Sequence, residues 1–162
     1  KNLYNGAGDF LKFIRLELFP FIEKNYPIVP DNRSYYGYSG GGSFGFYTLF
    51  SQPDTFKRYV LGSSGISFDG DAYNIKRAKK FIHSGKPLNA RVFMSVGSEE
   101  QFEPYLSAHD LGSSYFQMSE LLKEANISGL ELTSKVFEDE VHATAWAPAF
   151  LHGMQEVFRS HD

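Results

Sequence analysis

Gly37-Tyr38-Ser39-Gly40-Gly41 stands between a short stretch containing two tyrosines and a glycine-rich, aromatic segment of helical character. It has the pattern G-x-S-x-G, in which a serine lies on a sharp turn from a strand into a helix and presents its hydroxyl beyond the sheet. The glycines suit such a turn because the backbone segments approach too closely for a Cβ atom. The stretch therefore predicts a strand before Ser39 and a helix after it.

Predicted strands and helices alternate along the whole chain. The helices are expected over residues 9–26 (with Asp9 as N-cap and a kink or new cap near Pro20), 40–51, 72–83, 112–125 and 145–159, and the strands over residues 34–36, 58–61, 91–96 and 130–137. Such alternation predicts an α/β fold, with a mostly parallel sheet of about four strands and helices on both faces. No repeat or linker divides the sequence, so residues 1–162 are predicted to form a single domain.

Composition excludes several classes of function. The net charge is −3 and no basic stripe is present, which argues against nucleic acid as a partner. The chain has no cysteine, which excludes thiol catalysis and leaves both a cytoplasmic and a periplasmic location open. No apolar run approaches the length of a membrane span. The five histidines show no helical pairing with carboxylates and no dinucleotide-binding fingerprint is evident, so we expect neither a metal nor a cofactor.

Ser39 is the candidate nucleophile and His142 the candidate base. A serine hydroxyl is a weak nucleophile that needs a neighbouring base to take its proton. His142 follows the last predicted strand and precedes the last helix, where a base could reach the edge of the sheet that carries Ser39. The other histidines lie on or beside predicted helices, in a long loop or near the chain end. Ser39 and His142 are therefore predicted to work together.

A carboxylate is needed to orient the imidazole and to stabilise its charged form. Glu99 and Glu100 both follow the strand predicted to end at Val96, and Asp110 is a more distant candidate. The backbone N–H of Gly40, directly after the nucleophile, is the predicted oxyanion donor. A second N–H donor normally comes from a loop after an earlier strand, and the sequence before residue 34 contains no such strand.

Several segments resemble the putative-esterase family of α/β-hydrolases, which includes the esterase D type and siderophore esterases. Residues 8–22 resemble the helix before the elbow strand, and residues 37–45 resemble the block G-H-S-x-G-G-x-x-A, with Tyr38 and Gly45 as departures. Residues 96–100 resemble V-G-x-x-E, whose last position carries the acid, which favours Glu100 over Glu99. Residues 137–142 resemble the segment that ends in the catalytic histidine, and residues 142–150 lean toward the siderophore-esterase branch.

The resemblance implies a serine carboxylesterase with a Ser39-His142-Glu100 triad that acts on a small-molecule ester. It also implies that this chain corresponds to the C-terminal part of the family fold. The first strands and the second oxyanion donor would then belong to an N-terminal half or to another copy of the chain. Two alternatives stay open: an acyltransferase with the same triad, and a non-catalytic fragment or interaction module. Phe68, Phe102 and Tyr105 are candidates to line an aromatic acyl pocket.

Overall fold

Four parallel strands form the centre of the computed structural model, which describes residues 6–160. They lie side by side in the order of the sequence, with bounds β1 Ser34–Tyr38, β2 Arg58–Gly62, β3 Ala90–Gly97 and β4 Leu130–Phe137. The strands β2 and β3 are almost continuously apolar and buried, as expected for inner strands of a parallel sheet covered on both faces. The predicted α/β class and the sheet of four strands are confirmed. The single-domain prediction extends beyond the described residues at both ends and stays a prediction.

Helices cover both faces of the sheet, as predicted. Their bounds are α1 Ala7–Phe13, α2 Phe19–Asn25, α3 Gly40–Ser51, α4 Tyr73–His83, α5 Leu111–Ala125 and α6 Trp146–Val157. Alternate residues of β2 belong to different layers: Leu61 joins the larger core, to which α3, α4 and α5 contribute, and Val60 joins the smaller core under α6. This alternation follows from the strand geometry, in which successive side chains point to opposite faces.

The glycines of α3 allow that helix to lie very close to the sheet. A Cβ atom at Gly45 would come 2.3 Å from Leu61 Cδ2 and 2.8 Å from the Tyr35 ring. Glycine is a poor helix former, so its presence here reflects close packing rather than helix propensity. This contact also gives the physical reason why glycine replaces the alanine that is common at this position in the resembling family.

The first helical segment differs from its prediction. It begins at Ala7 with Gly6 as its N-cap, so the assignment of Asp9 as N-cap was wrong. A π-helical turn, Ile14–Leu18, then separates α1 from α2, and Pro20 lies in the first turn of α2. Proline has no N–H to donate, and the π-helical turn accommodates it while Phe13, Leu18 and Phe19 all keep right-handed helical angles. The helical backbone is therefore continuous at this point, and the new cap that was one of the two outcomes expected near Pro20 does not form.

The carboxyl ends of all four strands meet at one edge of the sheet. The parallel register pairs Tyr38 with Gly62, Gly62 with Ser95 and Gly97 with Phe137. The four loops that follow the strands therefore lie together at this edge, where α/β sheets bind their ligands. In the described part of the chain, β1 is an edge strand, and no helix there is long and apolar enough to cross a membrane.

Candidate active site

Ser39 lies on a strained turn between β1 and α3. Its backbone angles are φ 54° and ψ −118°, a combination that residues with a side chain rarely adopt. Its N–H donates to the Gly62 carbonyl over 3.0 Å, and its carbonyl accepts the N–H groups of Ser43 and Gly65. The turn is closed by Gly37, where a Cβ atom would lie 2.4 Å from the Gly41 carbonyl oxygen. The geometry has the sharp form that the G-x-S-x-G pattern predicts.

Glu100 and His142 are joined by a direct hydrogen bond, although they are 42 residues apart in the sequence. His142 Nδ1 lies 2.9 Å from Glu100 Oε2, and Glu100 is only 1% exposed. The other carboxylate oxygen, Oε1, accepts the Gly97 N–H over 2.8 Å and the Ser63 hydroxyl over 2.5 Å. The three hydrogen bonds compensate for the burial of the carboxylate, which is costly for an unpaired charge. An ionised carboxylate only accepts, so Nδ1 carries the proton of a neutral imidazole and Nε2 is left to take another.

The other two acidic candidates lie elsewhere. Glu99 Oε1 accepts the Ser98 hydroxyl over 3.1 Å, and Asp110 Oδ1 accepts the Ser113 hydroxyl over 2.7 Å. Neither side chain bonds to His142. Residues 97–110, for which the sequence predicted neither helix nor strand, largely form two short 3₁₀ helices, Glu100–Phe102 and Pro104–His109, and Glu100 begins the first of them. This winding turns Glu100 inward.

Ser39 and His142 are on loops at the same edge of the sheet. Within residues 6–160, no hydrogen bond joins the Ser39 hydroxyl to the His142 imidazole. Hydrogen bonds between catalytic groups are often long before substrate binds. The structure therefore brings the predicted base and acid into contact and places Ser39 on another loop at the same edge of the sheet.

Gly40 is the first residue of α3. No earlier turn of the helix supplies a carbonyl for the N–H at this position, so that N–H is free to bind a negatively charged oxygen. The N-terminal end of α3 is also the positive end of its helix dipole, which favours a negative charge at the same place.

Two further residues hold the main chain of His142, and the sequence did not single out either for this role. The Tyr38 hydroxyl donates to the His142 carbonyl over 2.7 Å, and its ring centroid lies 5.1 Å from that of the imidazole. Glu103 Oε2 accepts the His142 N–H over 2.7 Å. The only signal for Tyr38 was its departure from the family pattern, and Glu103 had no signal of its own.

The three aromatic candidates for a substrate pocket are in different environments. Phe68 is half-buried, and its ring centroid lies 4.9 Å from that of His109. Phe102 and Tyr105 are 69% and 67% exposed and belong to the 3₁₀ segments that start at Glu100. Their place in a substrate pocket stays a prediction.

A parallel sheet with a serine on a strained turn after one strand, and a histidine and a carboxylate after later strands, is the arrangement of an α/β-hydrolase. The chain belongs to the putative esterase family, whose model matches residues 2–157. The family expectation drawn from the sequence is confirmed.

Its relatives include siderophore esterases. The ferri-bacillibactin esterase BesA of Bacillus subtilis (strain 168) is 30% identical over 102 residues, which cover 60% of this chain and 34% of that protein. A siderophore enterobactin esterase of Emericella nidulans is 29% identical over 173 aligned residues, with 93% of this chain and 56% of that protein covered. The crystal structure of BES protein from Bacillus cereus matches with a TM-score of 0.81 at 26% identity, over 96% of this chain and 57% of that chain. The chain thus spans between 34% and 57% of the length of these proteins.

Proposed function

We propose that the chain carries the catalytic residues of a serine carboxylic ester hydrolase. The observation that carries the proposal is the buried Glu100–His142 hydrogen bond of 2.9 Å at the sheet edge that also presents Ser39. This bond selects the imidazole tautomer whose Nε2 can accept a proton. A buried carboxylate held by two further donors has little freedom to move away. Both properties are those required of the acid in a serine hydrolase triad.

The reaction proceeds in two halves. His142 Nε2 takes the proton from Ser39 Oγ while Oγ bonds to the ester carbonyl carbon, and the Gly40 N–H stabilises the negative charge on the carbonyl oxygen. The tetrahedral intermediate collapses, and the alcohol leaves with the proton from His142. Water then attacks the acyl-enzyme, with His142 again as base, and releases the carboxylic acid and Ser39. Glu100 stays ionised throughout and stabilises the imidazolium.

The proposed substrates are small-molecule esters of the siderophore class. Support comes from the family and from the activities in the names of the two relatives described above. The exposed rings of Phe102 and Tyr105 beside the site would suit an aromatic acyl group. Acyl transfer would use the same first half-reaction, and analysis of the products in the presence of an added alcohol separates it from hydrolysis.

We further propose that the second oxyanion donor comes from a segment seated against the free edge of β1. This segment belongs to an N-terminal half or to another copy of the chain. Loss of one oxyanion donor lowers kcat by about 10²–10³-fold. If the segment is an N-terminal half, a longer protein that includes it should be much more active than the 162-residue chain; if it is another copy, the activity per chain should fall when the 162-residue protein is diluted to a monomer. No difference in either comparison would contradict the proposal, and no activity in any of these samples would favour a non-catalytic module.

Steady-state hydrolysis of p-nitrophenyl acetate tests the hydrolase assignment. Ser39→Ala and His142→Ala should each reduce kcat by at least about 10³-fold. Glu120→Ala, at an exposed position of α5, is the matched surface control and should keep the wild-type rate. Full activity in Ser39→Ala would refute the assignment.

A further inference from the structure

The main chain of His142 is held from two sides by residues that belong to neither the triad nor the oxyanion site. The Tyr38 hydroxyl donates to its carbonyl oxygen and Glu103 Oε2 accepts its N–H, each over 2.7 Å. Both residues precede His142 in the sequence, Tyr38 by 104 residues and Glu103 by 39. These two hydrogen bonds hold the N–H and the carbonyl of His142, and the Glu100 bond to Nδ1 holds its imidazole ring.

We propose that Tyr38 and Glu103 form a clamp that positions His142 for proton transfer from Ser39. The proposal rests on the hydrolase function above. Tyr38 is the residue directly before Ser39 in the chain, so its hydrogen bond ties the nucleophile turn to the loop that carries the base. Glu103 lies three residues after Glu100, so its bond ties the same loop to the segment that carries the acid. The clamp therefore fixes the distances among all three members of the triad.

The environment of Tyr38 suits a permanent donor. Burial, the largest cause, raises the pKa of its hydroxyl; a hydrogen bond with Ser63 acts in the opposite direction, and the nearby carboxylate of Glu100 raises it further. The raised pKa keeps the hydroxyl protonated and able to donate at neutral pH. The Tyr38 backbone is held because the next residue, Ser39, donates its N–H to the Gly62 carbonyl. The Tyr38 ring packs closely against Gly62, where a Cβ atom would lie 2.7 Å from the ring.

Glu103 is held in turn by Tyr105. The Tyr105 hydroxyl donates to Glu103 Oε1 over 2.8 Å and leaves Oε2 directed at the His142 N–H. This hydrogen bond raises the pKa of Tyr105, so that group also stays a donor. Both carboxylate oxygens of Glu103 therefore have a hydrogen-bond partner, Oε1 the exposed Tyr105 and Oε2 the His142 N–H.

A positioning role predicts a loss of kcat rather than a loss of substrate binding. Small displacements of a catalytic group reduce the rate steeply, and each clamp bond is a single hydrogen bond. In Tyr38→Phe and in Glu103→Ala, kcat should fall about tenfold and KM should stay within about twofold. Glu103→Gln keeps an oxygen that can accept the His142 N–H, so it should restore kcat to within about threefold of wild type.

The test uses the protein expressed from its complete coding sequence. Each variant is first titrated with a fluorophosphonate, so that kcat is calculated per reactive Ser39, and its thermal midpoint is measured. Tyr36→Phe is the matched control for Tyr38→Phe, because the exposed Tyr36 hydroxyl also donates to a main-chain carbonyl near the start of α6, that of Trp146, over 3.3 Å. Tyr36→Phe should leave kcat unchanged.

The possible outcomes separate the clamp from the hydrolase assignment. A tenfold lower kcat per labelled serine in Tyr38→Phe and Glu103→Ala, with recovery in Glu103→Gln, supports the clamp. Variants that unfold at lower temperature but keep more than half of wild-type kcat per labelled serine overturn it, since the bonds are then merely structural. If the wild-type protein itself neither hydrolyses esters nor is labelled at Ser39, the hydrolase assignment fails instead.

Discussion

Replacement of Glu100 by glutamine should remove most of the activity while leaving the fold intact. The carboxylate accepts three hydrogen bonds, from Gly97 N–H, Ser63 Oγ and His142 Nδ1. A glutamine amide offers one oxygen and one NH₂ group, so it cannot accept on both sides. If its oxygen stays with Gly97 and Ser63, its NH₂ faces Nδ1. The imidazole must then carry its proton on Nε2, the nitrogen that should take the proton from Ser39.

The opposite orientation of the amide affects stability instead. Its NH₂ group would then face the Gly97 N–H, and a buried donor without a partner costs about 1–3 kcal/mol. The Ser63 hydroxyl can rotate to accept from the NH₂ group, whereas the Gly97 N–H cannot reverse. The first orientation is therefore the more stable one, and the substitution lowers kcat more than it lowers the free energy of unfolding. By analogy with acid-to-amide changes in serine protease triads, kcat should fall about 10³–10⁴-fold.

The assay is hydrolysis of p-nitrophenyl acetate by folded, titrated protein over a range of pH. Glu99→Gln is the matched control, because the Glu99 carboxylate bonds to Ser98 and makes no bond to His142. It should change kcat by no more than about twofold. If Glu100→Gln kept more than a tenth of the wild-type kcat, or if Glu99→Gln were the more damaging change, the reasoning would be refuted.

Two further predictions concern the turn and a surface ion pair. Gly37→Ala should lower the free energy of unfolding by about 3 kcal/mol, because its Cβ atom would lie 2.4 Å from the Gly41 carbonyl oxygen. Gly40→Ala, where the Cβ atom meets nothing within 4 Å, should change it by less than about 0.5 kcal/mol, and urea unfolding compares the two. A hydrogen bond from Arg15 lowers the pKa of Asp54 below its usual 3.8. This exposed pair therefore stabilises the fold fully above pH 3.8, and its contribution is lost as the pH falls through the lowered pKa. Asp54→Asn should therefore be less stable than wild type by under about 1 kcal/mol at pH 7, and urea titrations should show the two converging as the pH falls below the lowered pKa of Asp54. A difference that does not shrink with falling pH would exclude the pair as its cause.

Much of the fold could be predicted because its elements have strong local patterns. The strand Leu130–Phe137 and the helix Gly40–Ser51 have the bounds that the sequence indicated. The prediction of the first helix was less accurate, because neither its start at Ala7 nor the π-helical turn before Pro20 has a signature in the apolar pattern. The 3₁₀ helices after β3 were also missed, since short turns of this kind depend on tertiary contacts.

The site was predictable up to the point at which long-range contacts decide its geometry. Ser39 and His142 could be selected because each follows a strand in a turn or loop, and parallel strands bring such loops together. Glu100 could be preferred to Glu99 only through the family resemblance. The roles of Tyr38 and Glu103 depend on hydrogen bonds to His142 across 104 and 39 residues, and no local pattern encodes contacts of that separation.

Fluorophosphonate labelling followed by peptide mass mapping tests the central claim most directly. The product of the complete coding sequence should carry one covalent adduct, on the peptide that contains Ser39. The adduct should be lost in His142→Ala and should form much more slowly in Glu100→Gln. An active, folded preparation in which Ser39 stays unmodified, or in which another serine carries the adduct, would contradict the account.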